Sequence, residues 1–200
     1  MKLASKIFKR DDWYITSKFG TRDIIKTKEG DSFAFHDGCD YGTNRCKWAQ
    51  YAIENGIVLN CGVANDGAKY IWVNYPRINK KLLHYHLDSI LVSKGQLVDE
   101  NTILGYTGMT GKATGIHLHL GMKNSEGGEY QDPDAYNYQP ISKKEVDAYQ
   151  EYTVVKGDTL IKIAKKFNTT WKQIYENNKG VIGDNPNLIK IGQKLRIWKV

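Results

Sequence analysis

The sequence predicts a mainly β N-terminal domain built on an antiparallel sheet, followed by a small α+β domain of β-α-α-β order. Three observations carry that expectation. Short runs rich in aromatic and β-branched residues recur between Gly-containing turns, helical periodicity is scarce across them, and the last fifty residues hold two helical runs between two strand-like ones. Two hundred residues with 40% hydrophobic content suffice for one ordinary domain and a small second one. The domains are expected at 1–138 and 151–200, joined by residues 139–150.

Residues 13–19, W-Y-I-T-S-K-F, alternate and then turn at Gly20, as an entering strand does. Arg22 follows and is expected to be structural, near the rim of a cleft. Residues 32–41, S-F-A-F-H-D-G-C-D-Y, read as an aromatic-rich strand that bends at Gly38. The runs 49–52 and 57–63 flank Asn55-Gly56, a strong hairpin signal, so they are predicted to pair. Asp66-Gly67 marks another turn, after which 68–75 and 81–87 read as consecutive strands around Pro76. Residues 92–107 hold the small-residue turns expected where the sheet reverses. Gly108, Gly111 and Gly115 either leave room for backbone to approach a ligand or simply turn the chain. Residues 139–150 are polar, with Pro140 near their start, and read as a short tether.

In the last fifty residues, E-Y-T-V-V-K-G-D-T-L is a strand ending at a Gly-Asp turn. Asp158 or Thr159 is placed to cap the helix I-K-I-A-K-K-F, and N-T-T-W-K-Q-I-Y-E-N-N supplies a second helix with Ile174 on its apolar face beside Trp171. The end, I-K-I-G-Q-K-L-R-I-W, returns as a strand.

The chemistry concentrates in residues 107–121, T-G-M-T-G-K-A-T-G-I-H-L-H-L-G. In an extended strand side chains alternate, so His117 and His119 point to one face and Leu118 and Leu120 to the other. A lone His-x-His is as often a surface accident. All five histidines, however, lie between positions 36 and 119. His36 and Asp40 in H-D-G-C-D-Y-G also share a face, because i and i+4 do so in an extended segment. Two histidines and one carboxylate make a three-ligand set for a catalytic zinc with a fourth position open to water. The remaining histidines become acid/base candidates. His84 and His86 in H-Y-H-L share a face by the same alternation, which gives both access to the cleft, although plain packing is the main expectation for His84. For His84 a supporting or substrate-contact role competes with plain packing.

The set F-G-T-R, H-D-G-C-D-Y-G, H-Y-H-L, G-Y-T-G-M-T-G and G-I-H-L-H-L resembles the LytM/lysostaphin-type M23 metallopeptidases over residues 13–138, in the family's order. The resemblance implies an M23/LytM-like antiparallel fold and one Zn2+ held by His36, Asp40 and His119. It also implies that His86 and His117 act in catalysis. One departure is His84, where the family usually has an aromatic residue. The stretch D-P-D-A-Y resembles the closing segment of these peptidases.

Across 151–200, Y-T-V-V-K-G-D-T-L, I-A-K-K-F, N-P-N-L-I and G-Q-K-L-R-I resemble the LysM module. By that resemblance Gly157, Asp158, Thr159 and Leu160 face Asn187, Leu188 and Ile189 across a shallow groove for N-acetylglucosamine-containing glycan. For Leu160 and Ile189, core packing is the competing reading, since so small a domain has little core to spare.

Together these resemblances imply a zinc metalloendopeptidase that cuts peptide cross-links of bacterial peptidoglycan and is anchored to its glycan strands. The rivals are a non-catalytic wall-binding protein with a degenerate peptidase domain and a virion-associated tail peptidase. Residues 1–11 carry charges where a leader's apolar core would lie. Cytoplasmic synthesis without a signal peptide is therefore expected, with action at the cell wall, which points to a phage or prophage endolysin. No run of about 18 apolar residues exists, so membrane insertion is not expected. Cys39, Cys46 and Cys61 show no paired framework, and Cys39 should face away from the metal. Of the net charge of +7, residues 1–138 contribute 17 Lys/Arg against 16 Asp/Glu, and residues 151–200 contribute 10 against 4. No nucleic-acid-binding signature accompanies that basic excess, so no nucleic acid is expected as a partner. A polyanionic wall or a solvated lysine face explains it equally well. A monomer is expected.

Overall fold

A computed structural model describes residues 1–23, 26, 34–140, 149–167 and 169–198. The chain divides into two compact units, Met1–Gln139 and Pro140–Val200. Residues 32 and 33 of the expected 32–41 strand, 141–148 of the expected tether and Asn168 before the second helix lie outside the described residues. Among the described residues no helix is long and apolar enough to cross a membrane.

The first unit is mainly antiparallel β. In chain order it contains α1 (Leu3–Phe8), β1 (Tyr14–Ser17), β2 (Gly20–Thr21), β3 (Phe35–His36), β4 (Gly38–Gly42), β5 (Ala49–Tyr51), β6 (Gly56–Val63) and β7 (Lys69–Tyr75). A 3-10 turn at Pro76–Ile78 leads to β8 (Lys80–Leu87), β9 (Ser89–Ile90), β10 (Leu97–Val98), β11 (Ile103–Tyr106), β12 (His117–Asn124) and β13 (Gly127–Gln131). The large sheet runs β1-β4-β12-β8-β7-β6-β10, with β13 also on β12, and a small sheet runs β5-β11-β9. One core joins the two sheets, including Trp48, Ile53 and Leu104 with Val58, Leu82 and Leu118. Each such side chain, fully buried, contributes about 1.5–3 kcal/mol.

Helix α1 was not expected. Its apolar residues Leu3, Ala4, Ile7 and Phe8 repeat at helical spacing and are all buried. Phe8 meets the Trp48 ring edge-on at 5.4 Å, and Trp13 Nε1 donates to Ser5 Oγ at 3.1 Å. This packing, more than six residues' helix propensity, holds the helix.

The Asp66-Gly67 turn closes the β6–β7 hairpin as expected: Gly67 has φ +83°, and Ala68 N donates to Asp66 Oδ1 at 3.1 Å. Asn55-Gly56 does not make a hairpin. β5 pairs with β11 in the small sheet, while β6 pairs with β7 and β10. The reason is burial of the connecting segment. Glu54 is 2% exposed and accepts from Arg77 Nε at 2.9 Å and from Tyr138 OH at 3.0 Å, which carries the chain from one sheet to the other. A Cβ at Gly56 would lie 2.7 Å from Asn74 O, so glycine there serves close approach, not a primed turn.

Register sets what each face carries. Asp40 pairs with His119 and His119 with Tyr85, while Cys39 pairs with Leu120 and Leu120 with His84. Residues opposite one another share a face. Cys39, Leu120 and His84 are 1%, 0% and 0% exposed, so theirs is the core face.

The second unit has β14 (Tyr149–Thr153), α2 (Leu160–Lys166), α3 (Trp171–Ile182) and β15 (Lys194–Trp198), with β14 and β15 antiparallel. Thr159 caps α2, accepting from Lys162 N at 3.2 Å, and Thr170 caps α3, accepting from Gln173 N at 3.2 Å. Ile174 is buried with Val154, Ile163 and Leu195. Trp171, expected beside Ile174, is 43% exposed because it opens α3 at the helix's outer end. Buried Asn178 fastens α3 to β15: its Nδ2 donates to Ile174 O and Arg196 O, and its Oδ1 accepts from Arg196 N at 2.8 Å.

Candidate metal centre and catalytic site

On the face of the large sheet opposite the core lies a cavity of about 280 Å³. Strands β3 and β4 bring His36 and Asp40 to it, and β12 brings His119 beside them. The three ligand atoms form a triangle. His36 Nε2 lies 3.0 Å from Asp40 Oδ1 and 2.9 Å from His119 Nδ1, and His119 Nδ1 lies 3.0 Å from Asp40 Oδ1. Gly38 permits this approach, since a Cβ there would meet His119 Cε1 at 2.8 Å.

The outer contacts of the imidazoles fix which nitrogen is free. His36 Nδ1 lies 2.7 Å from Lys18 O, and a carbonyl can only accept, so Nδ1 carries the proton and Nε2 presents its lone pair. His119 Nε2 faces Asp37 Oδ1 at 3.4 Å, which leaves Nδ1 as the inward donor atom. Asp40 Oδ2 faces Arg22 Nη1 at 3.5 Å, and Arg22 also donates to Ser17 Oγ at 2.8 Å. Burial works against charge on Asp40, but contacts with His119 and His36 hold it far below the usual carboxylate range. Burial likewise opposes charge on His119, yet Asp37 and Asp40 push its pKa up to about 9. Buried nitrogens aimed at one another around a carboxylate fit a cation. Ligand atoms at bonds of about 2.0–2.2 Å to a tetrahedral zinc would stand about 3.3–3.6 Å apart, a few tenths of an ångström more than in this triangle.

His86 and His117 stand beside the triangle, their rings 4.9 Å apart. His86 Nδ1 donates to Thr110 O at 2.7 Å and His117 Nδ1 to Gly115 O at 2.8 Å, so each keeps an acceptor Nε2. His117 Nε2 is 3.7 Å from Asp40 Oδ1. Burial, then the charge of His117, lowers the His86 pKa to about 4, and burial lowers that of His117. Both are neutral bases at pH 7.

His84 does not line the cleft. Its Nδ1 donates to Gln50 Oε1 at 2.7 Å inside the core, and burial lowers its pKa to about 3. The expected alternation fails because His86 adopts φ +61°, a left-handed conformation, where the β7–β8 ladder shifts register. That twist brings His86 to the same cavity as its neighbour Tyr85. Cys39 faces the core, and burial pushes its thiol up to about 11.

Asp37, Tyr85, Asp66 and Tyr130 are among the cavity residues that the sequence does not place there. Asp37 backs His119, and Tyr85 OH donates to Asp66 Oδ1 at 2.9 Å. Tyr130 comes from β13 and interacts with Asp37. Only Asp37, adjacent to His36, had a local signal. The others depend on strand register.

In the second unit Leu160 is 4% exposed within the core and Ile189 is half-buried against it. Gly157 has φ +88°, Asp158 Oδ2 accepts from Val155 N and Tyr152 OH, and Thr159 caps α2. Asn187 and Leu188 are exposed, Leu188 by 62%. The chain after them returns to β14's end, where Gly192 N donates to Val154 O at 2.8 Å.

Comparison with known proteins places these units. The model of Peptidase family M23 matches residues 34–133, half of the chain, and the LysM domain model matches residues 152–198. Peptidoglycan DD-endopeptidase ShyB of Vibrio cholerae is 33% identical over 85 residues, 42% of this chain and 20% of that protein. The chain thus spans about a fifth of this relative's length. A zinc-containing peptidase of Vibrio cholerae is 28% identical, with a TM-score of 0.50 over 63% of this chain and 37% of that one. The lysostaphin catalytic domain of Staphylococcus simulans shares the fold at a TM-score of 0.52 and 23% identity, covering 61% of this chain and 90% of that one.

Proposed function

The chain belongs to peptidase family M23, and on that premise we propose that it is a zinc-dependent endopeptidase cutting peptide cross-links of bacterial peptidoglycan. The observation that carries this reading is the His36–Asp40–His119 triangle with two neutral histidines in the same cavity. Zinc bound by those three residues supplies Lewis acidity to polarise a scissile carbonyl and to acidify a water. One of the two bases, His117 Nε2 or His86 Nε2, would accept one proton from the attacking water and return it to the leaving amine. Whichever imidazole holds that one proton also donates toward the developing oxyanion. Thr110 O and Gly115 O hold the two rings in the tautomer this requires.

The LysM unit would hold the enzyme on the glycan, with Gly157, Asp158, Thr159, Leu160, Asn187, Leu188 and Ile189 as its groove. Leu160 would act there from beneath, as part of the core. A peptidase unit with its own glycan anchor supports a bacteriolytic role, with a phage or prophage endolysin as the setting.

Fragments released from purified peptidoglycans of two cross-link types, read by mass spectrometry, test this. New amino termini that disappear with a chelator are expected. Sedimentation with the wall without any fragments would overturn the enzyme reading. Removal of residues 149–200 should slow attack on intact walls and spare soluble cross-link peptides, because tethering raises local substrate concentration. Equal loss on both would reassign that unit to folding.

A further inference from the structure

Beyond the cavity the same face of the large sheet continues as a shelf. On β12 the parity of His119 is continued by Gly121 and Lys123, and on β8 that of Tyr85 by Leu83 and Lys81. Lys123 stands directly opposite Lys81, and Leu83 opposite Trp72 of β7. Gly121 makes the floor flat: a Cβ there would lie 3.0 Å from the Tyr130 ring and 3.3 Å from Leu83 Cβ. Leu83 and Tyr130 also line the cavity, so shelf and cavity are continuous.

The two lysines need explanation. Like charges directly opposite on a sheet face destabilise it, and burial followed by the charge of Lys123 lowers the Lys81 pKa. Among the described residues no carboxylate lies within 4.0 Å of either ammonium. Their neighbours are rings instead. Lys123 Nζ is 4.0 Å from the Tyr130 centroid, Lys81 Nζ 5.8 Å from that of Trp72, and the Trp72 and Tyr130 centroids are 6.3 Å apart. The cavity end of the same track carries Asp37 and Asp66 together with Arg22 and Lys112, so charge is mixed there and only positive on the shelf.

We propose that Lys81, Lys123, Trp72 and Tyr130 form a subsite for an acidic peptide, which takes a substrate carboxylate between the two ammonium groups. This rests on the cavity being a peptidase site, and it adds which substrates that site prefers. Lys123 lies four residues from His119, about 13 Å along an extended strand. A peptide laid along β12 therefore presents a carboxylate some four residues from the bond cut, while its apolar atoms cover the two rings. Two charge-assisted contacts offset the lysine repulsion.

The test compares two soluble cross-linked peptides identical except that the distal carboxylate of one is an amide. The native chain should show a kcat/KM ratio of roughly tenfold in favour of the acid, shrinking with salt. In Lys81→Gln/Lys123→Gln that ratio should fall to about one, whereas a folding defect would lower both rates together. Equal rates on both peptides, or a ratio unchanged in the double variant, overturns the proposal. If neither peptide is cleaved, the peptidase reading fails and binding decides the subsite. Tryptophan fluorescence should then change with the acid more than with the amide, a difference lost in Trp72→Phe. A response to a soluble glycan oligomer and not to the acid would make the shelf a sugar site.

Discussion

The chain contains the pattern His-x-His twice, and the two copies have opposite fates. On β12, strict alternation sends His117 and His119 into the cavity while Leu118 and Leu120 stay in the core. On β8, the same pattern sends His84 into the core and His86 into the cavity, because His86 leaves the β region. Spacing thus predicts a shared face only where the strand stays regular. A single left-handed residue converts a ligand-like pair into one structural histidine and one available base.

The sharpest way to test the contrast is to remove one histidine from each pair. His119→Ala is expected to lose bound metal and turnover together, whereas His84→Gln should retain about one metal per chain. Elemental analysis reads both. His117→Ala should keep the metal and lose about 10²–10⁴ in kcat, the usual contribution of a positioned acid or base. If His117→Ala strips the metal and His119→Ala keeps it, the roles within the β12 pair are reversed.

The β8 pair makes a pH prediction. The folded-state pKa of His84, about 3, lies below its ordinary value of 6.5. Unfolded chains therefore bind the extra proton between those values. The stability from keeping this imidazole neutral is fully present above pH 6.5 and is lost as pH falls toward 3. The total is on the order of 5 kcal/mol. Denaturant titrations from pH 7 to 4 on the native chain and His84→Gln should show a shallower pH slope for the variant. The smallest effect concerns the left-handed residue itself. His86→Val should lower stability by about 1–2 kcal/mol, while His86→Asn, which tolerates that conformation, should cost less. Both should lose turnover.

What could be read from the sequence was what short-range geometry dictates. The antiparallel plan, the Asp66-Gly67 turn and the core positions of Leu118 and Leu120 all follow from period two and local turn chemistry. The β-α-α-β order of the second unit follows from caps and helical spacing in the same way. Within the cavity, His36 and Asp40 meet because the chain bends at Asp37 between β3 and β4, since four residues of continuous extended strand would hold them about 13 Å apart. What stayed hidden needed partners far along the chain. Gly56 looked like a turn residue until Asn74 and Tyr75 of β7 were seen to crowd it. Tyr130 reaches the cavity only because β13 folds back on β12. The φ of His86 has no local signature at all.

The wiring behind the imidazoles has a further consequence. Three of the four cavity histidines are oriented by main-chain oxygens, at Lys18, Thr110 and Gly115. Every amino acid, proline included, offers the same oxygen. The tautomers are therefore set by the path of the backbone, which at Thr110 the side chain itself helps to hold, its Oγ1 accepting from Lys69 N and donating to Leu87 O. A designer who wished to re-aim one of these rings would have to move a loop.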